Sequence, residues 1–301
     1  MKRCLSLFTA IILVLSMVPA FTVFAAEPVT VYVDPQNGSN ENSGTETAPV
    51  KDLEGAYALL QQAGGTVVML GTINYTAVKT LPACDYPVTI TSKTGAEGIS
   101  SNSHIVMAGE TTFKNISLTL TKASTGTTIC GGGHKLTMDE GVTIVPFVNS
   151  EGTYYFCLAG GFYNNGIADS TDLTVKSGQY RYVYAAGYTT GANGNVKLTM
   201  TGGTTANLAV LRTGTVTGDV EMHFSGTAKV TGAIYAGAEL EKKWDMMTMM
   251  EVWFMIRVFL YERYDTDQPF MPQFEENAGI VTHMLEDIPR LKELIRSARG
   301  A

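Results

Sequence analysis

Cationic residues are scarce in this 301-residue chain: 21 Lys and Arg stand against 28 Asp and Glu, a formal charge of −7. Phosphate backbones are held by clustered Lys and Arg, and nothing here is built that way, so nucleic acid is excluded as a partner. Cysteine is scarce as well. Cys4 sits in the N-terminal segment, which leaves Cys84, Cys130 and Cys157, an odd number that rules out a dense disulfide framework. No apolar run reaches the ~20 residues of a membrane-spanning helix. Glycine vanishes late in the chain, for only Gly279 and Gly300 of its 31 glycines lie beyond Glu239. That change of composition divides the sequence near residue 239.

The first residues, Met1-Lys2-Arg3, an apolar run from Leu5 to Val18, Pro19, and Val23-Phe24-Ala25-Ala26, have the layout of a secretory signal peptide. Cleavage after Ala25 or Ala26 predicts a secreted or cell-envelope protein with no membrane span in its mature chain. Loss of Lys2 and Arg3 leaves 19 basic against 28 acidic residues, a formal charge of −9. Three regions follow: a signal peptide over 1–26, a β-solenoid domain over 27–238 and an α-helical tail over 239–301.

The mature chain opens on Val29-Thr30-Val31-Tyr32-Val33-Asp34, which alternates like a strand, followed by a polar turn-rich loop from Pro35 to Gly44. Leu53, Ala56, Tyr57 and Leu60 recur at helical spacing. Gly64-Gly65 ends that helix, and Thr66-Val67-Val68-Met69-Leu70 reads as a buried strand. The YVD strand, the NGS…NSGT loop, the short helix and the GGTVVML strand together resemble the start of secreted bacterial right-handed parallel β-helix proteins of the pectin-lyase-like group. That resemblance covers Val29 to Leu70. It implies an all-β, right-handed parallel β-helix with a short N-terminal capping helix, and it permits a polysaccharide-active lyase or hydrolase.

Internal repetition points the same way. Short apolar strands end in Gly109, Gly133, Gly160, Gly187, Gly214 and Gly237, and Gly133, Gly160, Gly187 and Gly214 are expected at equivalent positions on consecutive coils. A second strand recurs as Val142-Thr143-Ile144, Leu173-Thr174-Val175, Leu198-Thr199-Met200 and Met222-His223-Phe224, usually followed by Gly or Ser-Gly. Such coils bury their apolar faces only by stacking. An immunoglobulin-like sandwich would not repeat equivalent glycine-ended units at near-constant spacing.

The tail has another character. Trp244 to Tyr261 is almost continuously apolar, interrupted by Glu251 and Arg257, and reads as a buried helix; Ile288, Leu291, Leu294, Ile295 and Ala298 mark a later amphipathic one. The tail is either a helical cap over the last coil's open edge, as solenoids require, or foreign sequence joined to it.

Candidate chemistry is sparse, and no residue is assigned a catalytic role. Asp172, Lys197 and Glu221 precede the recurrent second strand and predict an ion-pair ladder. Asp139, Glu140 and Asp169 sit beside turns, where carboxylates cap amides. His104, His134 and His223 show no metal-ligand spacing. Asp34, Asn37, Asn40 and Asn42 offer oxygens for Ca2+, although Asx turns are the favoured account of them. Cys130 and Cys157 are expected in one column a coil apart, which raises a disulfide between them. Adjacent strand residues face opposite ways, so the column Val106, Cys130, Cys157, Tyr184, Leu211 and Ile234 is expected to point outward. Tyr155, Tyr182 and Tyr184 share that face, with Tyr180 close by. The favoured function is a non-catalytic exported surface that presents a rigid face to an extracellular glycan or surface protein; the alternative is the polysaccharide-active enzyme.

Overall fold

A computed structural model of the protein describes residues 29–238, apart from 62 and 165. The signal peptide over 1–26 and the helices predicted between 239 and 301 lie outside the described residues. Within them the chain is a parallel β-solenoid of about seven turns.

Each coil contributes a strand to a first sheet of eight strands: Val29–Val33, Gly65–Met69, Val88–Ser92, Thr111–Phe113, Leu136–Met138, Thr171–Val175, Val196–Met200 and Val220–Phe224, every neighbouring pair parallel. The second sheet stacks Lys79–Thr80, Ile105–Val106, Thr128–Cys130, Cys157–Ala159, Gln179–Tyr184 and Thr204–Leu211, the last of which pairs with both Lys229–Val230 and Ile234–Ala238. A third sheet of four strands, Ile73–Tyr75, Gly98–Ser101, Ile116–Leu120 and Val142–Val145, closes the early coils. An antiparallel hairpin, Phe147–Asn149 with Gly152–Tyr154, is inserted after it.

Period-two alternation builds the core. In the first sheet Val31, Val67, Ile90, Phe113, Met138, Val175 and Met200 lie in register, all at most 1% exposed. Each such side chain is worth roughly 1.5–3 kcal/mol when fully buried. The outward position beside this column is threonine on seven successive strands: Thr30, Thr66, Thr89, Thr112, Thr137, Thr174 and Thr199, with His223 next. Stacked β-branched side chains suit a half-exposed pleated surface.

The N-terminal end is closed. Helix α1, Leu53–Leu60, starts at Asp52, whose carboxylate accepts from the Gly55 amide at 2.9 Å. Its Leu53, Ala56, Tyr57 and Leu60 are buried in the solenoid core, as their spacing predicts. The free edge of the first strand is covered as well: the Tyr32 amide donates to Gly44, the Val50 amide to Tyr32, and the Asp34 amide to Val50.

The register corrects the glycine frame. Ile105, Ile129, Leu158, Val183, Leu208 and Ile234 form the inner column of the second sheet, so Phe156, Val210 and Ala233 are displaced from the positions expected of them. Gly133, Gly160, Gly187 and Gly214 are not equivalent: the ladder runs from Gly131 to Gly160 to Ala185. They are glycine for different reasons. A Cβ on Gly160 would stand 2.4 Å from the Ala185 carbonyl of the next coil, whereas Gly214 adopts φ +112°. The recurrent turn glycine is the one that follows the first-sheet strands: Gly141, Gly178 and Gly203 each lie three residues past an aligned strand end, with φ of +76°, +93° and +75°. Side chains other than Gly and Asn are strained there. Val142–Val145 is likewise a third-sheet strand, and Leu136 is the true predecessor of Leu173.

Candidate functional site

Val106, Cys130, Cys157, Ala159, Tyr184 and Ala209 form an apolar cluster separate from the solenoid interior. They lie on the outer face of the second sheet, where alternation sends every second side chain away from the core. The segments after the strands continue the ladder, and Phe162, Tyr163 and Tyr188 from them pack on the cluster. The Gly161 amide donates to Ala186 at 2.6 Å, the Tyr188 amide to Phe162 at 2.8 Å, and the Thr189 hydroxyl to the Tyr163 carbonyl. Tyr188 reaches back across the layer, and a Cβ on Gly126 would stand 2.5 Å from its hydroxyl.

Aromatic side chains rim this outer layer: Phe162, Tyr163, Tyr182, Tyr188 and Tyr235 are half-buried against it. Tyr182 stacks on Tyr184 with centroids 5.4 Å apart and planes 4° from parallel, and Tyr188 meets Tyr184 edge-on at 5.4 Å. Two guanidinium groups join them, Arg212 4.8 Å above the Tyr188 ring and Arg181 5.9 Å from that of Tyr182. At the other end of the layer His104 stacks on Tyr163 at 3.7 Å. Its Nδ1 accepts from the Thr128 amide at 3.2 Å, and burial pushes its pKa down to about 4, so the ring is neutral near pH 7. The arrangement offers flat faces, phenolic hydroxyls and delocalised cations on a rigid support.

Of the four tyrosines singled out in the sequence, two belong to this layer. Tyr182 and Tyr184 point outward as expected, although Tyr184 is buried rather than exposed. Tyr180 faces the other way and is buried in the solenoid core, and Tyr155 packs against that core. Parity breaks at Arg181: Tyr180 pairs with Thr205 and Tyr182 with Asn207, with no ladder pair between. The layer's other members, Tyr163, Tyr188, Arg181, Arg212 and His104, are not found by counting strand positions. Their signal is local, an aromatic residue directly after a coil-ending glycine in Gly161-Phe162-Tyr163 and again in Gly187-Tyr188.

Cys130 and Cys157 share the cluster but not the register. Cys157 pairs with Thr128 and Cys130 with Ala159, an offset of two residues from the expected one-coil column. The physical cause is the inserted hairpin, which lengthens that coil. Both are thiols, and Cys157 donates to the Thr125 carbonyl at 3.6 Å.

The loop residues considered for Ca2+ make hydrogen bonds within the loop and to its flanks. Asp34 accepts from the amides of Gln36 and Asn37 and from the Asn37 side chain, and that side-chain bond is the main reason its pKa falls below the ordinary value. Asn40 donates to Asp52 and accepts from the Lys51 amide, while Asn42 donates to the Pro49 carbonyl. Among the described residues no three His, Cys, Asp or Glu side chains are grouped as metal ligands.

The charged candidates form ladders. Asp172, Lys197 and Glu221 are in register as expected, and the column extends back through Lys135 to Glu110, which pair at 3.1 Å. Its signs alternate over five coils. On the opposite margin of the threonine column Asp139 stands between Lys176 at 2.9 Å and Lys114 at 3.7 Å. His223 pairs with Glu221.

No protein-family model, curated protein or solved structure matches this chain.

Proposed function

We propose that this protein is an exported, right-handed parallel β-helix whose outer aromatic layer binds an extracellular glycan without transforming it. The single observation that carries the reading is that Tyr163, Tyr182 and Tyr188 pack against one apolar cluster on the outer side of the second sheet, with Arg181 and Arg212 beside Tyr182 and Tyr188. Sugar rings present axial C–H bonds to aromatic faces and hydroxyls to phenols and guanidinium groups, and half-buried tyrosines supply both at low entropic cost. Support for handedness is general, since crossovers between parallel strands of one sheet are right-handed in about 98% of cases. Glu110 and Asp139 are held in ion pairs, and Asp172 and Glu221 flank Lys197 in register; Asp139, set between two lysines, stays ionised and is poorly suited to donate a proton to a glycosidic oxygen.

A glycan array probed with the mature chain tests the proposal. Binding is expected to one class of polysaccharide, with loss on Tyr182→Ala and on Tyr188→Ala. A stacking contact of ~0.5–1.5 kcal/mol corresponds to roughly 2- to 12-fold in Kd per ring. Absence of binding, or binding indifferent to both substitutions, overturns the assignment. Release of new reducing or unsaturated ends from the bound glycan overturns the non-catalytic part.

A further inference from the structure

Two aromatic groups of the outer layer lie in one column. Ile105 pairs with Ile129, Ile129 with Leu158 and Leu158 with Val183. The residues immediately before them, His104, Thr128, Cys157 and Tyr182, therefore also follow one another from coil to coil. His104 and Tyr182 are three coils apart along the solenoid axis, a separation of ~14 Å at ~4.8 Å per coil. The two positions between them are sealed. Thr128 and Cys157 are 0% exposed, and Cys157 belongs to the cluster on which Tyr163 and Tyr188 pack. Tyr188 bridges the interval, since its ring meets that of Tyr184 edge-on while its hydroxyl reaches Gly126, two residues before Thr128. The half-buried aromatic groups thus form a strip that runs across the strands, parallel to the solenoid axis.

His104 equips the far end of this strip for binding. The Thr128 amide occupies its Nδ1, which leaves the proton of the neutral ring on Nε2, and among the described residues nothing accepts that proton. Its ring lies 3.7 Å from that of Tyr163 with planes 13° apart, so a stacked pair of rings and one fixed N–H donor stand together there. The other end combines the same elements in another form, Tyr182 and Tyr188 with the guanidinium groups of Arg181 and Arg212. These are the only arginines between residues 29 and 238. A single sugar ring cannot touch both ends. We infer, resting on the glycan reading above, that the site takes a linear oligosaccharide lengthwise along the solenoid axis, with one subsite at Tyr182 and Tyr188 and a second at His104 and Tyr163. Two subsites on one rigid support act at high effective concentration, so a chain long enough to reach both gains more than either end alone supplies.

An array printed with the monosaccharide, disaccharide and hexasaccharide of each polysaccharide class tests this. It is probed with the full mature chain and with two variants, Tyr182→Ala and His104→Asn, the second of which keeps an acceptor for the Thr128 amide and removes the ring. The hexasaccharide of one class is expected to bind about tenfold or more tightly than its disaccharide. Tyr182→Ala should weaken both lengths, whereas His104→Asn should remove roughly 2- to 12-fold of the hexasaccharide's advantage. A hexasaccharide that binds no better than its disaccharide overturns the lengthwise inference and leaves the glycan reading standing, as does an undiminished advantage in His104→Asn. Binding at no length overturns both. Saturation-transfer NMR of the bound hexasaccharide supplies a readout in the unaltered protein. Contacts are expected on more than two of its rings, and contacts limited to two adjacent rings also overturn the proposal.

Discussion

The rings of Tyr182 and Tyr184 lie parallel, 5.4 Å apart, on one side of a single strand, yet one is at the rim of the outer layer and the other inside it. Their alanine substitutions should therefore separate stability from recognition. Tyr184 is 1% exposed among Cys130, Cys157 and Ala209, and Tyr184→Ala is expected to cost ~3–5 kcal/mol, as for other large buried aromatics. Tyr182→Ala should cost about 1 kcal/mol or less and act mainly on glycan affinity. Urea unfolding of both variants checks this; equal losses would mean that the layer does not have the inside and outside described.

Asp139 gives the fold a specific acid sensitivity. Burial alone would raise its pKa, but the bond from Lys176, the Glu140 amide and the fields of Lys176 and Lys114 outweigh burial and hold the carboxyl below its usual value. Lys176 is raised in turn, first by the same bond. A carboxyl depressed in the folded state stabilises it above the unfolded pKa of about 3.9, and that contribution disappears as pH falls through the folded value. Asp139→Asn should then lower stability by roughly 0.5–1 kcal/mol at pH 7. Unfolding free energies at pH 7, 5 and 3 should show the gap between the two proteins closing only at the acid end. A gap that is constant with pH would show that the ion pairs contribute nothing.

The solenoid is legible in the sequence because coil stacking imposes a repeat that side-chain pattern must follow. Leu173, Leu198 and Met222 align as their pattern predicts, and with them the charge column Asp172, Lys197 and Glu221. Leu53, Ala56, Tyr57 and Leu60 mark the helix that closes the first coil. Register fails where local geometry varies from coil to coil. Glycine marks both positive φ and close approach of a neighbouring backbone, so the terminal glycines from Gly133 to Gly214 imitate a repeat that the hydrogen bonds do not have. The hairpin at Phe147–Tyr154 lengthens one coil and moves Cys157 two residues from its expected partner. The candidate site was half legible. Tyr182 and Tyr184 followed from alternation, but parity breaks at Arg181 and Tyr180 is buried in the core, and Tyr163 and Tyr188 come from loops that no period reaches.

Cys130 reports whether the outer layer is closed in solution. It is fully buried, and burial, with the neighbouring Cys157 thiol as a lesser cause, pushes its pKa far up. The thiolate is the reactive species, so Cys130 is expected to resist alkylation by iodoacetamide at pH 8 in the native protein and to react readily in urea. The two-residue offset that pairs Cys130 with Ala159 also predicts that no Cys130–Cys157 cross-linked peptide is recovered after non-reducing digestion. Tyr188→Ala removes the ring that reaches Gly126 and should open the layer from outside, accelerating Cys130 labelling while the first sheet keeps its hydrogen-exchange protection. Peptide mapping of the labelled thiols distinguishes the outcomes. If native Cys130 reacts as fast as unfolded Cys130, the loops after Gly160 and Gly187 do not form the cover described, and the aromatic rim loses its support.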